Sequence, residues 1–287
     1  MGASVAYVTF ADPDGVDDEK EIALAAWAEV GIAGQIVRWD DPEVDWAAFD
    51  AVVVRSPWDY IDRRAEFLGW VRRVDSVTRL LNPAAVLERN TDKTYLRDLK
   101  APAIATYWVA PGEAVDFPVL DEYVVKPSVS SGARDTIRTR DRKEAEAHAA
   151  RLAAEGRTAM IQPYLDMVEA EGETSLLYFG GRFSHAVRRP PMLAGEVTAP
   201  DEENGRGELR TPELGQHLPR TPEPDQFALA ERVLAEFPEL LYARVDLVRL
   251  SDGTPVLIEL ELTEPYLFLR WAPDAAANLA RALAEAI

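Results

Sequence analysis

ARVDLVRL (Ala243–Leu250) and PVLIELEL (Pro255–Leu262) are the two runs whose pairing decides the fold. Ser251-Asp252-Gly253-Thr254 joins them, a polar turn with a glycine available for positive φ, and the whole reads as a β-hairpin. Alternate side chains of a strand share a face. Val256, Ile258, Leu260 and Leu262 are therefore expected on one side, and Leu257, Glu259 and Glu261 on the other. Pairing Leu250 with Pro255 puts Asp246 opposite Glu259 and gathers three carboxylates within about 5–7 Å. Like charges held so close on a half-buried sheet are unfavourable unless a cation sits among them. A strand with a solvated, acidic outer face is the other reading of the same pattern.

The chain has 287 residues, enough for two domains or one large one with a sizeable core. Its 47% of apolar and 28% of charged residues are those of an ordinary soluble globular protein. Against 50 Asp and Glu stand 31 Lys and Arg, a formal net charge of −19. So acidic a surface repels nucleic acid and anionic membranes, and neither is expected as a partner. An anionic ligand would need its own cluster of cations. The absence of cysteine excludes disulfides, thiolate metal sites and cysteine nucleophiles, and fits a reducing compartment. MGASVAYVTFADPDG lacks the basic and apolar regions of a signal peptide, and no apolar run approaches the roughly 18–20 residues of a membrane span. A cytoplasmic protein is the expectation.

Outward from the hairpin, residues 1–90 alternate strands and helices. Val5–Phe10, Ile36–Trp39, Ala51–Arg55 and Arg79–Leu81 read as strands, and Glu19–Val30 as a helix. Ile61, Ala65, Leu68, Val71 and Val74 form an apolar stripe at helical spacing. This alternation predicts a small doubly wound α/β domain, whose ligands sit beyond the carboxyl ends of its strands. Arg55-Ser56-Pro57-Trp58-Asp59-Tyr60 lies at such an end. Asn90–Leu99 then reads as a short helix, Ile104–Val109, Glu122–Lys126 and Ala159–Gln162 as strands, and Asp141–Leu152 as a helix capped by Asp141. Leu176–Phe179 and Phe183–Val187 form a hairpin around Gly180-Gly181, and helices follow at Asp225–Phe237 and from near Pro273. Residues 194–220, rich in Gly, Pro, Glu and Asn, are too long for an ordinary connection and are expected to form a mobile lid.

Several groups besides the hairpin carry chemistry. Lys126 ends a strand, and Pro127-Ser128-Val129-Ser130-Ser131-Gly132-Ala133 follows at once. Small residues let N–H groups and hydroxyls wrap phosphate oxygens while the lysine supplies a point charge; a plain flexible turn is the alternative. Gln162-Pro163-Tyr164-Leu165, at another strand end, can present backbone groups to a flat heterocycle or serve as a simple hinge. Lys93 follows Asn90-Thr91-Asp92. Arg188-Arg189 lead into the long loop, where they suit a transferring phosphate or a rim salt bridge. No nucleophilic triad can be assembled.

The order of these parts resembles the ATP-grasp superfamily, in particular its glutathione synthetase-like branch, over essentially the whole chain. The resemblance implies an N-terminal Rossmann-like (pre-ATP-grasp) α/β domain at 1–90. It further implies a central α+β lobe at 91–165 and a C-terminal α+β lobe at 166–287 carrying the metal site and the lid. Lys93 and Lys126 would contact the phosphates of ATP, with Ser128, Ser130, Ser131 and Gly132 folding over them. Gln162, Tyr164 and Leu165 would hold adenine, and Glu173 the ribose. Asp246, Glu259 and Glu261 would bind Mg2+, two ions by the family's pattern. Arg188, Arg189 and Arg244 are the implied catalytic cations. Two departures stand out: the phosphate loop has one glycine, and Glu261 occupies a position where the family usually has Asn.

The implied reaction is ATP-dependent C–N bond formation through an acyl phosphate, in which Mg2+, Lys and Arg neutralise charge. RSPWDY, LLNPAAVLERNTDKTYL and IELELTEPYLFL resemble compact members active in antibiotic biosynthesis, including the cyclo-ligases that close O-ureido-D-serine to D-cycloserine. That implies a small amino-acid-like substrate held by Arg55, Ser56, Trp58, Asp59, Tyr60 and Glu264, with Arg55 meeting a carboxylate and Asp59 an ammonium. The resemblance leaves room for a homo-oligomer. An intermolecular ligase of small amino acids or peptides is the rival within the class. A non-catalytic nucleotide-binding regulator is the rival outside it. A glycosidase-like hydrolase using Glu259 and Glu261 fits poorly, because i and i+2 neighbours on one strand are awkward for flanking a scissile bond.

Overall fold

A computed structural model describes residues 2–11, 15–113, 117–193, 217–237 and 239–287. The lid expected at 194–220 lies outside the described residues except for its last four. Three sheets organise the chain.

The first is parallel, with order β2-β1-β3-β4, built from β1 (Ser4–Thr9), β2 (Ala33–Arg38), β3 (Ala51–Ser56) and β4 (Arg79–Leu81). Helix α1 (Lys20–Glu29) covers one face through Ala23 and Trp27, and α2 (Arg64–Asp75) the other through Phe67, Trp70 and Val71. Both faces are therefore buried, which is why β3 reads as a continuous apolar run instead of alternating. This is the doubly wound arrangement expected from the sequence.

The helix expected at Asn90–Leu99 is broken in two. Helix α3 (Ala84–Asn90) ends first, and a 3-10 turn at Lys93–Arg97 restarts with Asp92 accepting from the Thr94 N–H at 3.0 Å. The second sheet is antiparallel, with order β5-β8-β6-β7: β5 (Tyr107–Val109), β6 (Tyr123–Pro127), β7 (Ile137–Thr139) and β8 (Ala159–Pro163). Strand β7, not foreseen, pairs with β6. Helix α4 (Arg142–Ala154), capped by Asp141, packs Ala145, Ala149 and Leu152 on one face of this sheet. A single turn, α5 (Met167–Ala170), follows β8.

The third sheet is antiparallel, with order β11-β10-β9-β12-β13: β9 (Glu173–Phe179), β10 (Arg182–Arg189), β11 (Leu218–Pro219), β12 (Tyr242–Arg249) and β13 (Pro255–Glu261). Helix α6 (Pro224–Leu234) packs on one face, and α7 (Ala275–Ala286) shares a core with α1 of the first sheet. The β12–β13 hairpin forms as read, and Gly253 takes φ +86° in its turn. Asp246 does face Glu259, but the register begins at Arg249↔Pro255, and a bulge between Asp246 and Leu247 on one side takes up Ile258 on the other. The bulge corrects the expected faces. Leu257 joins Leu260 and Leu262 in the core under α6, whereas Val256 and Ile258 pack with Val168 and Val248 on the opposite side, the side of Glu259 and Glu261.

Candidate active site

A cleft of about 630 Å³ is lined by strands of the second and third sheets and by segments that follow β1 and β3 of the first. Its acidic floor is the hairpin. One carboxylate oxygen from each of Asp246, Glu259 and Glu261 lies within 4.8 Å of the others. Their repulsion is already relieved by protein cations. Asp246 accepts from Arg189 at 3.0 Å and from Arg244 at 2.9 Å, Arg244 also pairs with Glu261, and Lys93 lies 3.2 Å from Glu259. Arg189 further binds Glu173 at 2.6 Å. Burial favours the neutral acid at each carboxylate, and the neighbouring cations oppose it. Arg244 and Arg189 keep Asp246 below its usual range, and Lys93 and Lys126 do the same for Glu259. For Glu261 burial wins despite Arg244, and its value rises to about 7. Three oxygen donors of this kind fit a hard divalent cation, which would draw Glu261 back toward the ionised form.

The phosphate-binding candidates come together above this floor. Lys93 donates to the Ser130 carbonyl at 2.6 Å, while its own N–H donates to the Ser128 carbonyl at 2.9 Å. Burial lowers the Lys126 ammonium below its ordinary value, against the pull of Glu259. Ser130, Ser131, Gly132 and Ala133 line the cleft, with Gly132 and Ala133 at φ +59° and +56°. Ser128 does not line it: its peptide groups are fixed between Thr158 and Lys93, so it is wall rather than loop tip. At the far end Gln162, Tyr164 and Leu165 line the cleft, yet the Tyr164 N–H is taken by the Glu122 carbonyl and the Gln162 amide donates to Thr106. That leaves Leu165 as the hinge residue whose N–H has no acceptor among the described residues.

Sequence reasoning errs most at the other end. Of the two adjacent arginines only Arg189 lines the cleft; Arg188, on the opposite face of β10, donates to the Glu171 carbonyl at 2.6 Å. Arg55 is buried, donates to the Pro265 carbonyl at 2.7 Å and stacks on Tyr242, so it cannot meet a substrate carboxylate. Ser56 bonds Thr9 and Asp17 inside the first domain, and Asp59 is held by Trp39 and Arg63. Trp58, Tyr60 and Glu264 do line the cleft.

The RSPWDY segment chiefly grips the loop after β13. The Trp58 indole donates to the Glu264 carbonyl, and Arg244 to that of Tyr266. Glu19, which sequence reasoning misses, accepts the Leu267 and Leu269 N–H groups, both at 2.7 Å, and His185 meets the Leu267 carbonyl at 3.0 Å. This grip presents Glu264 and Tyr266 to the cleft opposite Asp18. Burial and the nearby Glu261 raise Glu264 to about 8. Asp18 is missed too, although its place beyond the carboxyl end of β1 is a usable signal.

A cleft lined by Glu259, Glu261, Arg189 and Arg244 over the buried Asp246, with Lys93 and Lys126 beside them, has the parts of an ATP-grasp ligase, and the comparisons place the chain in that class. Residues 5–82 match the family model for the N-terminal domain of D-cycloserine synthetase DcsG. The cycloserine biosynthesis protein DcsG of Streptomyces lavendulae is 39% identical over 303 aligned positions, which span 98% of each chain. A crystal structure of D-cycloserine synthetase DcsG superposes with a TM-score of 0.87 at 38% identity, covering 98% of this chain and 99% of that one. The fold extends to a RimK-domain ATP-grasp protein of Sphaerobacter thermophilus, with TM-score 0.67 and 18% identity over 98% and 100% of the two chains. It extends also to the D-alanine–D-alanine ligase of Bacillus anthracis, with 0.66 and 14% over 99% and 97%. The chain belongs to the DcsG family of ATP-grasp enzymes and is an ATP-dependent ligase that forms a C–N bond. No helix among the described residues is long and apolar enough to cross a membrane.

Proposed function

We propose that this ligase closes a ring within one small amino-acid-like molecule, of the O-ureido-D-serine to D-cycloserine type. The observation that carries the reading is the substrate end of the cleft. Trp58, Tyr60, Tyr266 and Phe268 line it together with Arg244, Glu264 and Asp18, whose carboxylate accepts from the Tyr266 hydroxyl at 2.7 Å and lies 3.2 Å from Arg270. That set suits one zwitterion, the guanidinium taking its carboxylate and the acids its ammonium. The full-length likeness to the D-cycloserine synthetase DcsG supports D-cycloserine as the product.

The three lobes are read as 1–90, 91–165 and 166–287. Lys93, Lys126 and the Ser130–Ala133 loop bind the phosphates of ATP, the Leu165 hinge takes adenine, and Glu173 takes the ribose. Asp246, Glu259 and Glu261 would hold Mg2+, two ions by the family's pattern; the metal supplies charge neutralisation and orientation of the phosphates. Arg189 and Arg244 stabilise charge on the phosphoryl group as a substrate carboxylate oxygen attacks the γ-phosphorus and the bond to ADP breaks. In the second step the substrate nitrogen attacks the acyl carbon, the carbon–oxygen bond breaks and phosphate leaves, with loss of one proton from nitrogen; on O-ureido-D-serine that nitrogen still carries its carbamoyl group, and water cleaves the carbamoyl carbon–nitrogen bond, releasing carbon dioxide and ammonia, to leave D-cycloserine. Glu259→Gln keeps the shape of the floor but removes a ligand charge. Turnover should fall at least about a hundredfold while the circular dichroism spectrum stays unchanged; wild-type turnover in that variant would remove the metal assignment.

A further inference from the structure

Strand β13 carries two of the three metal-binding candidates and lies at the edge of its sheet. An edge strand leaves alternate backbone N–H and C=O groups without a partner. On β13 and its extension those of Leu257, Leu260 and Leu262 are taken up by residues 82–104. The Leu257 N–H donates to the Pro102 carbonyl and its carbonyl accepts from Ile104, both at 2.9 Å. The Leu260 N–H donates to the Tyr95 hydroxyl at 2.9 Å, and its carbonyl accepts from that hydroxyl and from the Asn90 amide, both at 2.8 Å. The Leu262 N–H donates to Asn90 Oδ1 at 2.8 Å, and its carbonyl accepts from the Asn82 amide at 2.8 Å. Three side chains stand where a sixth strand would.

The clamp closes on Leu260, the residue between Glu259 and Glu261. It also comes from the segment that carries Lys93, whose ammonium meets Glu259 and the phosphate loop. The need is specific to this strand. The bulge at Ile258 breaks the ladder just before Glu259, so pairing to β12 alone holds the ligand end less firmly. Metal ligands need placement within a few tenths of an ångström, and groups behind the ligands supply it.

We propose that Asn90 and Tyr95, supported by Asn82, are positioning residues of the metal centre, fixing Glu259 and Glu261 through the Leu260 backbone between them and holding that strand in register with Lys93. The inference rests on the metal reading above, and its test separates the two. Mn2+ alone is titrated into the protein and the free ion is read by electron paramagnetic resonance, so no turnover is needed. Tyr95→Phe, which removes one hydroxyl, should weaken Mn2+ binding about tenfold. Asn90→Leu, close in volume, should do the same, and decides the matter if Tyr95→Phe does not fold. Leu229→Ala, a cavity variant in α6 on the same core, should lower the melting temperature without moving Mn2+ affinity. Wild-type Mn2+ affinity in a folded clamp variant would overturn the proposal, as would an equal loss in Leu229→Ala, which would make the clamp merely structural. Glu259→Gln should abolish binding; if it binds like wild type, the metal assignment falls and takes the clamp with it.

Discussion

Arg55 and His185 bring titratable groups into the core and use them on backbone carbonyls. A strand end rich in polar and aromatic groups is legible at Arg55–Tyr60, but which neighbour covers each side chain is not. Arg55 is two residues from Pro57 in sequence and in contact with Pro265 in space. No local pattern encodes that separation, so the sequence alone presents Arg55, Ser56 and Asp59 as substrate groups. The carboxylates are legible because their i, i+2 spacing and a turn glycine are local facts. His185 gives a residue-scale prediction. Burial pulls it from an ordinary 6.5 to about 4. The unfolded chain takes up a proton near pH 6.5 and the folded one does not until about pH 4. This contribution to stability is therefore complete above pH 6.5 and is lost as pH falls toward 4, about 3 kcal/mol in all. Urea unfolding at pH 7 and pH 4.5 should show wild type losing about 2–3 kcal/mol more than His185→Gln; parallel losses would exclude the histidine.

Among elements, the hairpin is legible in its pairing and not in its facing. Strict alternation assumes a regular ladder, whereas Leu257 is drawn into the core and bridged to Ala103, and one residue later the ladder must accommodate the bulge. Bulges answer to tertiary packing, so period-2 reading passes over them. Strand β7 escapes notice because three residues give too little pattern to distinguish from a turn. The segment Asn90–Leu99 reads as one helix but forms two pieces, because Asn90 serves β13 and Asp92 caps a new turn. The Gly253 turn is separable from all this. At φ +86°, with open space where a Cβ would stand, Gly253→Ala meets only backbone strain. It should cost about 1 kcal/mol in chemical denaturation and leave kcat unchanged; a loss of kcat would show that the turn reaches the site.

Across the molecule, the first two lobes keep cores of their own, and two further cores are shared between lobes. Helix α7, from the end of the chain, packs with α1, β1 and the face of β9 in one cluster. Leu279→Ala in α7, at a fully buried position, should cost about 2–5 kcal/mol. Calorimetry should show one transition moving down as a whole; a first sheet melting at its wild-type temperature would mean the cores are independent. The net charge of −19 adds a second whole-molecule feature: in so acidic a chain the cleft still draws Lys93, Lys126, Arg189 and Arg244 into its lining, the local cluster of cations that an anionic ligand would need. Ring closure as proposed activates a single substrate carboxylate by phosphorylation and captures it with nitrogen of the same molecule. The most direct measurement supplies O-ureido-D-serine with both carboxylate oxygens as oxygen-18, as the sole substrate beside Mg-ATP, and analyses phosphate and product by mass spectrometry. ADP, a cyclic product and phosphate carrying one labelled oxygen are expected. Unlabelled phosphate, or phosphate release only when a second amine is added, would contradict ring closure as proposed.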